Sequence, residues 1–118
     1  MGKMIVISGP SGVGKGTVLG IAMKACPDLR FSVSATTRAP RPSEVDQVHY
    51  YFVSQGHFEE MIAMDQFLEY DNHSKHYYGT PRAQALEKLE KGHVLLDIDP
   101  KGAAQVKKNM PDAVLIFI

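Results

Sequence analysis

Ile5-Val6-Ile7-Ser8-Gly9-Pro10-Ser11-Gly12-Val13-Gly14-Lys15-Gly16-Thr17 joins an apolar run, a glycine-rich turn and a lysine, and a helical pattern follows it. That order is typical of a phosphate-binding P-loop. The glycines at 9, 12 and 14 let backbone N–H groups approach a phosphate chain, and the start of the helix adds further N–H donors. Lys15 would reach the β- and γ-phosphates as a point charge. We therefore predict a nucleotide phosphate site over residues 9–17.

One position departs from the general pattern. Gly16 stands where a Ser or Thr that ligates Mg²⁺ is usual, and Thr17 follows it. We therefore expect water or carboxylates from elsewhere in the chain to complete the coordination of Mg²⁺. The alternative is a Gly/Ser turn that only links a strand to a helix, but the flanking patterns and Lys15 favour the phosphate site.

Composition limits the possible classes of protein. The 118 residues have room for one core with a small inserted lobe. Thirteen basic residues balance thirteen acidic ones, which argues against binding nucleic acid or a membrane through bulk charge. We find no secretory leader or membrane span, and the single Cys26, expected at the core or its boundary, cannot form an internal disulfide. We predict a cytoplasmic protein, and the sequence favours no oligomeric state.

The apolar patterning predicts a parallel sheet. Continuous apolar runs at 4–8, 94–99 and 113–118 are typical of strands covered on both faces. Helical spacing over 15–25 and 102–109 supplies the crossover helices that parallel strands need. The predicted class is α/β, with a P-loop three-layer fold.

The middle of the chain has a different pattern and predicts a small mixed α/β lobe over 34–80. The core would then comprise 1–33 and 81–118. Ser54 is a plausible N-cap for a short helix around Phe58, and Thr80 with Pro81 predicts the start of a helix that ends at Gly92. Short strands are expected at 31–35, 48–53, 67–71 and 76–78.

Two carboxylates end the second apolar run. Asp97 and Asp99 would face the P-loop, because ligands bind at the carboxyl ends of parallel strands, and they could hold Mg²⁺ directly or through water. The alternative is that Asp99 caps the helix after Pro100 and that both carboxylates are only solvated.

A second cluster of polar residues precedes Val53. Arg38 and Arg41 lie in a proline-rich loop and could both bind one phosphate, while Ser34 and Tyr50 offer hydroxyl donors. Solvated surface arginines are the alternative, which the neighbouring P-loop makes weaker. The pattern predicts a second phosphate site, and hence transfer between two nucleotides rather than hydrolysis.

At this point the chain resembles the guanylate kinase family of ATP:GMP phosphotransferases. The resemblance runs from Met4 to the end of the chain. It is carried by Gly-Pro-Ser-Gly-Val-Gly-Lys-Gly-Thr at 9–17, Ser-Val-Ser-Ala-Thr-Thr-Arg-Ala-Pro-Arg-Pro at 32–42, Tyr50, Phe-Leu-Glu-Tyr at 67–70, Tyr-Tyr-Gly-Thr at 77–80 and Asp-Ile-Asp at 97–99.

The resemblance implies roles for individual residues. The whole stretch from Gly9 to Thr17 would bind ATP with Mg²⁺. The lobe at 34–80 would bind GMP and close on it to exclude water. The implied GMP contacts are Ser34, Arg38, Arg41, Tyr50, Glu69, Tyr78, Gly79, Thr80 and Asp99, with Ser34, Glu69 and Thr80 at the guanine. The implied catalytic residues are Lys15, Arg38 and Asp97, and the implied metal ligands are Asp97 and Asp99.

The sequence also departs from that family. Ser43 and Gln47 replace two loop glycines, and Lys75-His76 stands where Gly-Asn is common, which would strain the lobe if these positions need positive φ. Family members continue past a strand like 113–118 into an arginine-bearing lid that this sequence does not contain. We therefore expect the 118-residue chain alone to bind GMP and to turn over slowly.

Two other functions compete with this prediction. A guanylate-kinase-like module that only binds nucleotides or proteins would tend to lose the P-loop lysine and the metal carboxylates, yet Lys15, Asp97 and Asp99 are all present. A P-loop hydrolase or switch protein would leave Arg38 and Arg41 unexplained.

Overall fold

The computed structural model describes residues 2–9 and 15–117, with Lys15 described by its backbone alone. The chain forms two compact units. The first comprises Met1–Ser32 and Leu86–Ile118, and the second is the continuous segment Val33–Ala85. The predicted α/β class, with a parallel sheet and a second mixed sheet, is confirmed.

The described residues form eight strands and four helices. In chain order these are β1 Met4–Ser8, α1 Lys15–Ala25, β2 Leu29–Phe31, β3 Ser34–Thr36, β4 Tyr50–Phe52, α2 Gln55–Ala63, β5 Phe67–His73, β6 His76–Pro81, α3 Arg82–Lys91, β7 His93–Asp97, α4 Pro100–Asn109 and β8 Val114–Phe117. None of the helices within 2–9 and 15–117 is both long and apolar enough to cross a membrane.

The first unit is built on a fully parallel sheet in the order β2-β7-β1-β8. Its central strands β1 and β7 are largely buried, as their continuous apolar runs predict. On one face α1 contributes Leu19 to a core cluster with Ile7, Leu29 and Leu95. Helix α4 contacts β1 and has a buried apolar stripe of its own.

The second unit has a mixed sheet in the order β4-β3-β6-β5. Strand β3 pairs parallel with β4 and antiparallel with β6, and β6 forms a hairpin with β5. One face of this sheet packs against α2, where the fully buried Phe58 meets Ala35 and Phe67.

Helix α2 has clear ends. Ser54 is its N-cap, as predicted, and its Oγ accepts a hydrogen bond from the N–H of His57 at 3.1 Å. At the other end Asp65 has a φ of 54° and donates its N–H to Ile62 O, while Gln66 donates to Met61 O. This pair of bonds is the Schellman arrangement, with aspartate where glycine is usual.

Two predicted elements are wrong. The strand predicted at 31–35 is divided, because β2 ends at Phe31 in the first sheet and β3 begins at Ser34 in the second. Thr80 and Pro81 do not start a helix, since β6 continues through Pro81 and α3 begins at Arg82. Pairing with β5 supplies partners for this stretch of backbone, and this overrides the local capping pattern.

Two burial predictions are also wrong. Among the strands of the described residues β8 lies at the edge of its sheet, and Val114, Ile116 and Phe117 are exposed rather than buried. Cys26 follows α1 and is exposed, so it is not a core residue.

Two of the positions where family glycines are replaced do adopt left-handed backbone. Gln47 and Lys75 both have a φ of 70°, and Ser74 has a φ of 51°. Ser74 and Lys75 form the two-residue turn between the paired His73 and His76 at the end of the β5–β6 hairpin. Positive φ at both turn positions is the type I′ geometry, which favours Asn-Gly.

Candidate functional site

The predicted phosphate loop begins where β1 ends. Ser8 is the last residue of β1, and Gly9 follows it directly. The predicted ligands Pro10, Ser11, Gly12, Val13 and Gly14, and the side chain of Lys15, lie outside the described residues. The backbone of Lys15 begins α1, and Gly16 and Thr17 are exposed in its first turn. The described ends of the loop therefore have the strand and helix that a P-loop requires.

The carboxylates lie beyond the neighbouring strand. Asp97 is the exposed last residue of β7 and is paired in register with Ile7 of β1, directly before Ser8. Asp97 and the end of β1 are therefore at the same edge of the parallel sheet. Asp99 is the N-cap of α4, and its Oδ1 accepts a hydrogen bond from the N–H of Gly102 at 2.7 Å. The structure therefore confirms the alternative in which Asp99 caps the helix that follows it.

The donors of these two residues suit a hard cation. Carboxylate oxygens are the ligands that Mg²⁺ prefers, and it keeps several waters besides. Asp97 is exposed at the strand end, and one oxygen of Asp99 accepts a hydrogen bond from its helix. The chemistry of this donor set fits Mg²⁺.

In the second unit, polar residues form a row across one face of the sheet. Tyr50 lies opposite Ser34, and Glu69 lies opposite Thr80. The pairing of Ala35 with Gly79 places Ser34 and Thr80 opposite each other one step further along the same ladder. Directly opposite residues point to the same face of a sheet, so four adjacent strands contribute one polar side chain each. We call this side the polar face; α2 covers the other.

A β-bulge gives Glu69 its orientation. Phe67 pairs with Pro81 and Glu69 pairs with Thr80. Between these two pairs β5 therefore moves on by two residues while β6 moves on by one. Because of this shift Phe67 packs against Phe58 under the sheet, whereas Glu69 points to the polar face. Glu69 as a residue is only 7% exposed, and its Oε2 accepts a hydrogen bond from the Thr80 hydroxyl at 2.8 Å. The structure thus brings these two predicted guanine contacts together.

Gly79 belongs to the same region but has a packing role. It lies opposite Ala35 on the α2 side of the sheet. A Cβ there would approach Glu69 O and the ring of Phe67 to 2.9 Å, so only glycine fits without a shift. Its predicted contact with GMP could be made through its backbone alone.

Arg38 lies beside two tyrosines of the polar face. Its guanidinium is 5.2 Å from the centre of the Tyr50 ring, and the Tyr50 and Tyr78 rings are 6.2 Å apart in an edge contact. Glu44 first, and then the hydroxyls of Tyr78 and Tyr50, raise the pKa of Arg38 above its usual value. Three of the predicted GMP contacts, Arg38, Tyr50 and Tyr78, are therefore adjacent. Arg41, which was also predicted to bind the second phosphate, is exposed in the same loop as Arg38.

The sequence argument missed Glu44. Its carboxylate binds Arg38 through two hydrogen bonds of 2.9 and 3.0 Å and accepts the N–H of Arg41 at 2.8 Å. Arg38 lowers the pKa of Glu44 to about 2, with smaller contributions from Arg41. The one available indication in the sequence was an acidic residue three positions after Arg41 across Pro42, which is the spacing of a turn.

The family model described as guanylate kinase matches residues 1–118, the whole chain. The chain belongs to the guanylate kinase family. Over 99% of its length it is 51% identical to a guanylate kinase of Carboxydothermus hydrogenoformans and 50% identical to one of Clostridioides difficile.

A solved structure supports the same family. The crystal structure of guanylate kinase from Anaplasma phagocytophilum matches 98% of this chain with a TM-score of 0.77 and 31% identity. The chain spans 58% of that structure and 58% of each of the two bacterial relatives.

Proposed function

We propose that this guanylate kinase family member transfers the γ-phosphate of ATP to GMP, giving ADP and GDP. The row of Tyr50, Ser34, Thr80 and Glu69 beside Arg38 carries the proposal. One end of the row offers the Glu69 carboxylate and hydroxyl groups, which suit a purine base. The other end offers the Arg38 cation and tyrosine hydroxyls, which suit a phosphate, and in a purine monophosphate the ribose separates these two parts.

Glu69 would recognise the guanine. An ionised carboxylate has two acceptor oxygens, and guanine presents an N1–H and an exocyclic amine side by side, whereas adenine presents an acceptor at N1. The Thr80 hydroxyl already donates to Oε2, which holds the carboxylate in place on its strand. Ser34 lies next in the row and could bind a neighbouring atom of the base.

Arg38, Arg41, Tyr50 and Tyr78 would bind the phosphate of GMP. An arginine can give two parallel hydrogen bonds to one phosphate, and tyrosine hydroxyls add donors without adding charge. In the family role the same arginine charge would also favour the transition state, where negative charge spreads over the transferred group.

The residues for ATP lie in the first unit. Gly9 to Thr17 would bind its phosphates, with Lys15 as the cation. Asp97 and Asp99 would hold Mg²⁺ directly or through water, and the ion would neutralise phosphate charge when it is bound. This chain's own contribution to the chemistry would be to bind and orient each phosphate, since phosphoryl transfer needs little covalent participation from the protein.

Calorimetric titration of the 118-residue chain with GMP and with AMP tests the acceptor site. We expect GMP to bind and AMP to bind much more weakly. Glu69→Gln turns one acceptor into a donor and should weaken GMP by about 10- to 100-fold, the value of a good bidentate base contact. Glu60→Gln, the same change at an exposed position of α2, is the matched control.

The reaction is tested by coupled measurement of ADP formation from ATP with GMP. The 118-residue chain should be assayed beside a version extended to the length of its relatives. We expect activity that depends on GMP in the extended protein and slower turnover in the short chain. ADP formation that does not require GMP would favour hydrolysis and contradict the proposal, as would equal binding of AMP and GMP.

A further inference from the structure

Glu44 is the centre of the loop that carries both predicted phosphate arginines. Its Oε1 and Oε2 accept from Nη1 and Nη2 of Arg38 at 2.9 and 3.0 Å. Its Oε1 also accepts the backbone N–H of Arg41 at 2.8 Å, while its own N–H donates to Arg41 O at 2.9 Å. One carboxylate therefore ties the side chain of Arg38 to the backbone turn of Arg41.

These bonds use a defined part of the guanidinium. Arginine has five N–H donors in a fixed plane. Nη1 donates to Ala39 O at 3.1 Å and to Glu44, and Nη2 gives one bond to Glu44. The bonds to Ala39 and Glu44 do not use Nε–H or the second N–H of Nη2, which lie together on the other edge of the plane. That edge has the spacing of two phosphate oxygens.

The pair is shielded enough to hold a fixed geometry. The side chains of Arg38 and Glu44 are only 13% and 14% exposed. Glu44 stays ionised well below neutral pH, because Arg38 lowers its pKa to about 2. The Cζ atom of Arg38 also lies 5.2 Å from the centre of the Tyr50 ring, and this contact further restricts rotation of the guanidinium plane.

We propose that Glu44 is a positioning residue that fixes Arg38 so that its Nε/Nη2 edge is presented to the phosphate of GMP. This inference rests on the proposed function, since it takes GMP as the ligand of Arg38. If it is correct, the Glu44 carboxylate strengthens the binding of GMP, although the carboxylate and the phosphate are both negatively charged. The opposite effect, in which the carboxylate competes with the phosphate for Arg38, is the result that the experiment must exclude.

A double-mutant cycle tests the proposal in the 118-residue chain. GMP and guanosine are titrated into the wild type, Glu44→Gln, Arg38→Ala and the double variant. Because charge-assisted hydrogen bonds to Arg38 are lost, Glu44→Gln should weaken GMP by about 10-fold and leave guanosine, which has no phosphate, within about 2-fold. In the Arg38→Ala background, Glu44→Gln should have no further effect on GMP. Glu60→Gln is again the control for a lost negative charge.

Three results would overturn the proposal: tighter GMP binding by Glu44→Gln, equal weakening of GMP and guanosine, or an undiminished effect when Arg38 is absent. The second of these would show a purely structural role. A measurement without nucleotide separates this inference from the proposed function. The Nη1–H and Nη2–H protons of Arg38 that donate to Glu44 should exchange slowly with water in the wild type and rapidly in Glu44→Gln. Slow exchange in both would contradict the positioning role, whereas failure of the wild type to bind GMP would contradict the proposed function.

Discussion

The side chain of Phe58 is the centre of the core beneath the polar face. It is fully buried, and its ring is stacked between Phe67 at 4.3 Å and Tyr77 at 4.8 Å. These two strand residues lie two and three positions from Glu69 and Thr80. Phe58→Ala therefore removes the support under the strands that carry the predicted guanine contacts.

The expected loss of stability is large for a unit of this size. Truncating a buried phenylalanine to alanine costs about 3–5 kcal/mol, from lost transfer free energy and the cavity left behind. A unit of about 50 residues has roughly 3–8 kcal/mol of stability in total. Phe58→Ala should therefore leave the second unit close to unfolded. Phe58→Leu keeps most of the volume but loses both ring contacts, and should cost about 1–2 kcal/mol.

Tyrosine fluorescence measures this unit selectively. All five tyrosines, Tyr50, Tyr51, Tyr70, Tyr77 and Tyr78, belong to the segment Val33–Ala85, and the chain has no tryptophan. Urea unfolding followed by tyrosine emission should show the losses given above. Ile21→Ala, at an exposed position of α1 in the other unit, should leave the midpoint unchanged. A midpoint for Phe58→Ala equal to that of the wild type would refute the packing argument.

Three further outcomes are expected. Ser74→Asn combined with Lys75→Gly suits the positive φ of both turn residues and should raise the free energy of unfolding by about 0.5–1 kcal/mol in the same urea experiment; a decrease would contradict the type I′ assignment. Because Arg38 lowers the pKa of Glu44 from 4.5 to about 2, its contribution to stability is complete above pH 4.5 and disappears as the pH falls through about 2, so wild type and Glu44→Gln should converge in thermal melts towards pH 2. Asp99→Ala should cost about 1 kcal/mol by circular dichroism melts, whereas Asp99→Ser should keep the cap to Gly102 and cost little; equal losses would exclude a capping role.

Much of the first unit follows from local pattern. The apolar runs that form β1 and β7 predict strands covered on both faces, and the turn with Lys15 predicts the helix that follows. The Ser54 cap was also predictable, because a cap depends on residues three positions apart. The family motifs likewise identified the residues of the polar face, although not their arrangement. The proposed roles of Ser34, Glu69 and Thr80 stay predictions.

Other features depend on partners distant in the sequence. The sequence predicts one strand at 31–35, but the chain changes sheets at Ser32 and Val33, because Phe31 pairs with β7 and Ser34 with β4. The helix start predicted at Thr80 is wrong for the same reason, since β5 supplies its cross-strand partner. Hydrogen bonding between strands satisfies more backbone groups than an isolated cap, so pairing decides both cases.

The sequence by itself determined the class of fold, the family and the types of residue available for a nucleotide. Only the tertiary structure decided where those residues point. The bulge between Phe67 and Glu69 sends one side chain to the core and the other to the polar face, although residues two apart in a regular strand share a face. Likewise Glu44 becomes the partner of Arg38 only after the loop turns at Arg41. Strand register and loop closure bring charged residues together in space, and neither can be deduced from the local hydrophobic pattern of the sequence.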